Sequence, residues 1–177
     1  LENLTNLTEL RLYGSYDLQD LGALSGLTKL QNLQLNSSGS IGFLRSLRGM
    51  EGLTSLREMR LYVDGLESLE GIQGCTSLVD LQISGQNYTF TDISPLAPLT
   101  KLQNLHIQSY GNTPSVFIED LTALSGLKEL KELDLYIDGI SSLKGLEGLT
   151  SLTTLNLSGL TGVSDLGELS SLTSLRD

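Results

Sequence analysis

Tryptophan is absent from the 177 residues, and cysteine and histidine occur once each, as Cys75 and His106. A single cysteine excludes an internal disulfide framework and a Cys-rich zinc module. A single imidazole excludes multi-His metal sites, and away from His106 no nucleophile–base pair of the Ser-His or Cys-His kind can be built. Cations are scarce: Lys plus Arg is 11 against 21 Asp plus Glu, a net charge of −10. That balance argues against a nucleic-acid phosphate backbone and against an anionic membrane surface as partner. No apolar run reaches the roughly 18 residues of a membrane-spanning helix. A glycine-rich phosphate loop after a strand is missing. The acidic pairs Asp17 with Asp20 and Glu119 with Asp120 fall short of the ligand density of a calcium site. No cofactor, no metal and no enzymatic active site is therefore expected.

Leucine fills the space that these absences leave, with 42 residues against 3 Phe and 2 Met. A core of one side-chain shape calls for a geometry that uses that shape repeatedly. The pattern L-x-x-L-x-x-L-x-L supplies it. It reads Leu4, Leu7, Leu10, Leu12, then Leu27, Leu30, Leu33, Leu35, then Leu53, Leu56, Met59, Leu61. Further copies pass through Cys75, Leu99, Leu127 and Leu149, and an eighth begins at Leu169. The third apolar position recurs at 10, 33, 59, 81, 105, 133, 155 and 175, in steps of 20 to 28 residues. A fixed period of this size marks a stacked repeat array. Cys75 stands where other copies have Leu, so it is read as core.

Each copy divides by period. The L-x-L pair has strand spacing, with both Leu pointing inward and the residue between them outward. The other half moves in threes, as in Leu18, Leu21, Leu24, Leu27, which fits 3₁₀-like turns better than an α-helix. Gly22, Gly26, Gly49, Gly52, Gly71, Gly74, Gly145 and Gly148, with Pro95 and Pro98, also oppose long helices. One copy cannot bury its leucines alone; stacking buries them, at roughly 1.5–3 kcal/mol per side chain. The second copy carries an extra unit through Phe43, Leu44, Leu47 and Met50.

These residues resemble the 22-residue class of leucine-rich repeats of internalin-type bacterial surface proteins. The stretches TDISPLAPLTKLQNL at 91–105 and GALSGLTKLQNL at 22–33 carry the resemblance most closely. It covers essentially the whole chain. It implies an α/β solenoid: a right-handed leucine-rich-repeat horseshoe of about eight repeats. A parallel β-sheet is expected on the concave face and short 3₁₀ or turn segments on the convex face, with residues 1–177 forming one domain. The asparagine that this class places three residues after L-x-L is replaced by Ser15, Ser38, Asp64, Gln86, Tyr110, Asp138 and Leu160. Asp64 and Asp138, each before Gly, are expected to make local turn hydrogen bonds instead. Leu1 starts almost inside a repeat and Asp177 ends inside one, so a fragment is expected, with its caps outside.

The outward positions form three columns. The first holds Glu9, Asn32, Glu58, Asp80, Asn104 and Glu132; the second holds Arg11, Gln34, Arg60, Gln82, His106 and Asp134; the third holds Tyr13, Asn36, Tyr62, Ser84, Gln108 and Tyr136. Tyr and Arg bury large area with few rotors, which favours them at binding hot spots. The predicted contact set is Arg11, Tyr13, Glu58, Arg60, Tyr62, Gln82, His106, Gln108, Tyr110, Asn112, Asp134 and Tyr136. The fifth copy has ten residues, 108–117, where most have four to six, and this insertion is expected to protrude from one rim. The loop at 84–89, with Asn87 and Tyr88, is expected to join it in a ridge. Five N-x-S/T sequons, at Asn3, Asn6, Asn36, Asn87 and Asn156, arise partly because the repeat itself writes N-L-T and N-L-S.

The expected function is protein–protein recognition through the concave face and the 108–117 loop, without nucleic acid or membrane insertion. An extracellular or cell-surface setting is favoured over the cytoplasm. Alternatives are an intracellular scaffold of the phosphatase-regulating kind and the ligand-sensing region of a larger receptor. Carbohydrate is a further ligand class, suggested by Tyr beside Asn and Gln.

Overall fold

A computed structural model of the chain describes residues 4–14, 19–36, 44–110 and 117–177. Seven strands follow one another: β1 (Glu9–Tyr13), β2 (Asn32–Asn36), β3 (Glu58–Tyr62), β4 (Asp80–Gln86), β5 (Asn104–Tyr110), β6 (Glu132–Tyr136) and β7 (Thr154–Leu157). They form one sheet in sequence order, every pair parallel. The register is the one that the L-x-L pairs dictate: Leu10 pairs with Leu33, Leu33 with Met59, Met59 with Leu81, Leu81 with Leu105 and Leu105 with Leu133. A slip of one residue would turn every leucine outward, so burial of one face locks the alignment.

The return half of each coil is built from turns. Short 3₁₀ segments occur at Gly22–Leu24, Ile72–Gly74, Ser94–Leu96, Thr122–Leu124 and Gly167–Ser171. The period of three leucines therefore becomes three inward side chains per coil, as in Leu24, Leu27 and Leu30, none more than 4% exposed. The extra unit of the second copy, Leu44, Leu47 and Met50, is also buried; Phe43 lies outside the described residues.

Coils are joined by a backbone ladder just before each strand. The carbonyl of Thr8 accepts the N–H groups of Gln31 and Asn32; that of Gln31 accepts Arg57 and Glu58; that of Arg57 accepts Val79 and Asp80. The series runs on through Val79, Gln103 and Lys131 to Thr153, whose carbonyl accepts Arg176 at 2.9 Å and Asp177 at 3.3 Å. The eighth copy thus docks by backbone bonds without contributing a full strand.

One expectation is extended and one is corrected. Asp64 reaches across coils: its Oδ1 accepts the N–H of Gln86 in the next coil at 2.8 Å. It does the inter-coil work expected of the missing asparagine. Tyr88 does not stand in a surface ridge. It is fully buried, its ring centroid lies 5.8 Å from that of Phe90, and its hydroxyl donates to the carbonyl of Val63 at 3.0 Å. The side chain is admitted because Gly85 has no Cβ, which would lie 2.7 Å from the Tyr88 hydroxyl and 1.8 Å from Val63 O. Asn87, exposed, makes the corner with a left-handed φ of 58°.

Candidate recognition face

The strand alternation places every predicted contact residue of β1–β6 on the outward side, because the inward side is occupied by leucines. Arg11 pairs in register with Gln34, and Gln34 with Arg60. Two strand spacings separate the arginines, about 10 Å. Together with Asn32, Leu33, Gln34 and Glu58 they line a small depression of about 50 Å³. Arg11 Nε lies 2.5 Å from Glu9 Oε1, so its charge is partly answered on its own strand. Arg60 is exposed, and its only cationic neighbour in this depression is Arg11.

The tyrosines form a row above the arginines. Tyr13 pairs with Asn36 and Asn36 with Tyr62, while Tyr136 pairs with Gln108. Tyr13 and Tyr136 are about half exposed, and Tyr62 is half-buried. The Tyr13 hydroxyl donates to Gln34 Oε1 at 3.0 Å, which ties the tyrosine row to the arginine row.

His106, beside Gln82 in the register, is the centre of a second group. Its Nδ1 lies 3.4 Å from Asp134 Oδ2 and its Nε2 lies 3.8 Å from Glu132 Oε2. Asp134 Oδ1 is buried and has no hydrogen-bond partner among the described residues. Among the described residues the partners given for this imidazole are two carboxylates, which make it a polar contact point on the face. The diagonal contact with Glu132 was not expected from the columns, which pair neighbours only directly across.

The fifth coil extends its strand to Tyr110, whose hydroxyl donates to Gln108 Oε1. Asn112, with 111–116 of the expected protruding loop, lies outside the described residues. Of the acidic pairs, Asp20 and Asp120 accept backbone N–H groups of Gly22 and Thr122 and so cap 3₁₀ turns; Asp17 is outside the described residues. Among the described residues no three His, Cys, Asp or Glu converge on a point that would hold a metal, and no helix is long and apolar enough to cross a membrane.

Ser84, in the third outward column, is sunk to 4% exposure in a hollow bordered by Asn36, Tyr62, Asp64, Gln86 and Tyr110. The signal was present in the sequence: small Ser84 and Gly85 stand between bulkier neighbours on β3 and β5.

No protein-family profile matches the sequence, and no curated protein matches it. Solved structures do. An internalin (inlF) of Listeria monocytogenes superposes with a TM-score of 0.81 at 28% identity, over 98% of this chain and 47% of that one. An internalin C2 of the same organism gives 0.77 at 29% identity, over 98% of this chain and 71% of that one. The leucine-rich-repeat ectodomain of the plant membrane receptor kinase GASSHO1/SCHENGEN3 from Arabidopsis thaliana, in complex with CASPARIAN STRIP INTEGRITY FACTOR 2, gives 0.61 at 18% identity. It covers 99% of this chain and 24% of that one, and it bears on the fold alone. This chain therefore spans about half the length of the first of these proteins and less than a quarter of the third's. With its sequential parallel sheet, its leucine register and these neighbours, the chain is a leucine-rich-repeat solenoid similar to those of the two internalins.

Proposed function

We propose that the chain is a protein-recognition module that presents its sheet face, pre-formed, to a partner protein. The observation that carries this reading is the separation of labour along each strand. The L-x-L leucines hold the coil, while Arg11, Arg60, Tyr13, Tyr62 and Tyr136 face outward in register. A rigid face of this kind loses little ordering entropy on binding. Arg60 and Tyr62 are its strongest anchors, with Glu58, Gln82, His106, Gln108, Tyr110, Asp134 and, in the adjoining loop, Asn112 as further contacts. The likeness to two internalins supports a setting at a bacterial surface or in the secreted fraction. The carbohydrate reading gains no support from the neighbours.

The test is direct. A partner is identified by probing an extracellular-protein array with the purified chain, and its affinity is measured by calorimetry. Arg60→Ala combined with Tyr62→Ala is expected to weaken binding by about 2 kcal/mol or more while leaving the fold intact by circular dichroism. Unchanged affinity in the folded double variant would remove the face assignment. Fractionation of the native host with an antibody to the chain tests the setting; a purely cytosolic signal contradicts it.

A further inference from the structure

The hollow at the end of strands β3–β5 has a chemistry of its own. It encloses about 240 Å³ and is lined by Asn36, Tyr62, Asp64, Ser84, Gln86 and Tyr110. That volume falls below the roughly 300–1,000 Å³ of small-molecule pockets and suits one side chain. Ser84 is 4% exposed, and its Oγ has no hydrogen-bond partner among the described residues. A buried hydroxyl without a partner departs from the rule for protein interiors and marks a place where a ligand group would complete the bonding.

We propose that this niche takes a single arginine side chain from the partner protein. The inference rests on the recognition reading above. The lining offers acceptors: the Asp64 carboxylate, the amide oxygens of Asn36 and Gln86, and the Ser84 hydroxyl. It includes no Lys or Arg. The Asp64 carboxylate is held in place, because its Oδ1 accepts the Gln86 N–H at 2.8 Å. Two tyrosines, Tyr62 and Tyr110, border the space, and an aromatic ring at the wall of a niche is a partner for a flat cation. A guanidinium matches this set: it has five donors, no acceptor, a permanent charge and a plane that stacks on aromatic rings. An ammonium also sits over aromatic rings, but it lacks the plane that stacks on them and has three donors for the four acceptors here. The partner is then read at two points of opposite sign, with acidic groups over Arg11 and Arg60 and a basic side chain in the niche.

The test uses the ¹⁵N-labelled chain and Nα-acetyl-arginine methylamide, with the citrulline analogue as its neutral isostere. Saturable shifts of the Gly85 and Gln86 amides are expected, with the citrulline analogue weaker by about tenfold or more. Asp64→Asn keeps an acceptor for the Gln86 N–H while removing the charge, and Tyr110→Ala removes one aromatic border. Each is expected to weaken the arginine probe about fivefold or more. Equal response to both probes, shifts scattered over the acidic surface, or no shift at about 50 mM probe each overturns the niche. A niche that fails while Arg11→Ala with Arg60→Ala still abolishes partner binding leaves the recognition reading standing. Probe binding at Gly85 and Gln86, with no face variant affecting the partner, overturns that reading and keeps the niche.

Discussion

Single residues show how far the coil perturbs ordinary chemistry. Burial pushes the Cys75 thiol up to about 12, and its Sγ donates to the Met50 carbonyl at 3.6 Å. At neutral pH it is a protonated core side chain. A disulfide reagent at about pH 8 is expected to leave it untouched until denaturant is added; labelling at the rate of a free thiol would contradict its place in the core. Two carboxylates at the surface, Asp120 partly covered and Glu147 exposed, move the other way. Asp120 is held below its ordinary 3.8 chiefly by its bonds with Thr122, and Glu147 below its ordinary 4.5 by the backbone N–H groups of Glu147 and Gly145. Both are lowered in the folded state, so their stabilisation is fully present above the unfolded values and is lost as pH falls through the folded ones. Acid unfolding followed by circular dichroism is expected to become shallower below about pH 4 in Asp120→Asn, which keeps an acceptor but does not titrate. An unchanged acid limb counts against the cap. Cys75 was legible as core from its place in the repeat. Tyr88 was not, because its burial depends on Gly85 in the preceding strand leaving room, and spacing carries no such volume.

At the scale of the element, the outer corners come in two kinds. Asp20, Asp92, Asp120 and Asp165 each accept the N–H two residues on, within D-[LI]-x-x-L sequences. In the other kind the backbone N–H of Gly49, Gly71 or Gly145 donates to a side chain two residues on: Glu51, Gln73 or Glu147. These glycines have positive φ, and at Gly71, with φ 112°, a Cβ would lie 1.9 Å from the carbonyl oxygen of Leu47 in the preceding coil. Gly71→Ala is accordingly expected to cost about 2 kcal/mol or more by urea unfolding. Gly126→Ala is the control, since nothing lies within 4 Å of its added Cβ, and it is expected within about 0.5 kcal/mol of the parent. Equal effects would show that the close approach of coils is not what selects glycine. Strand positions were readable from L-x-L alone, because one buried face leaves one register. The glycines were read only as breakers of helix; their closeness to the neighbouring backbone arises from stacking, which no single repeat encodes.

For the whole molecule, stability resides between coils. Side chains of the middle coils, such as Leu81, Leu105 and Leu133, are fully buried by neighbours on both sides, while Leu10 and Leu155 in the outermost strands remain partly exposed. Pairs such as Arg48 with Glu70, at 2.6 Å, bridge successive coils on the outside, but exposed pairs of this kind contribute only about 0–1 kcal/mol. The leucine ladder holds the stack, and the outward columns lie on the opposite side of the sheet. That division was legible in the sequence; the hollow at Ser84 was signalled there only by Ser84 and Gly85 standing among bulkier neighbours, and its depth arises where adjacent coils differ in side-chain bulk.

Urea unfolding of two variants side by side tests that division most directly. Leu105→Ala, on the inward side of β5, is expected to lose about 2–5 kcal/mol. Arg60→Ala combined with Tyr136→Ala, on the outward side, is expected to stay within about 0.5 kcal/mol per substitution. A face variant that destabilises the chain as much as the leucine variant would mean that the outward columns hold the coil together and are not spare surface for recognition.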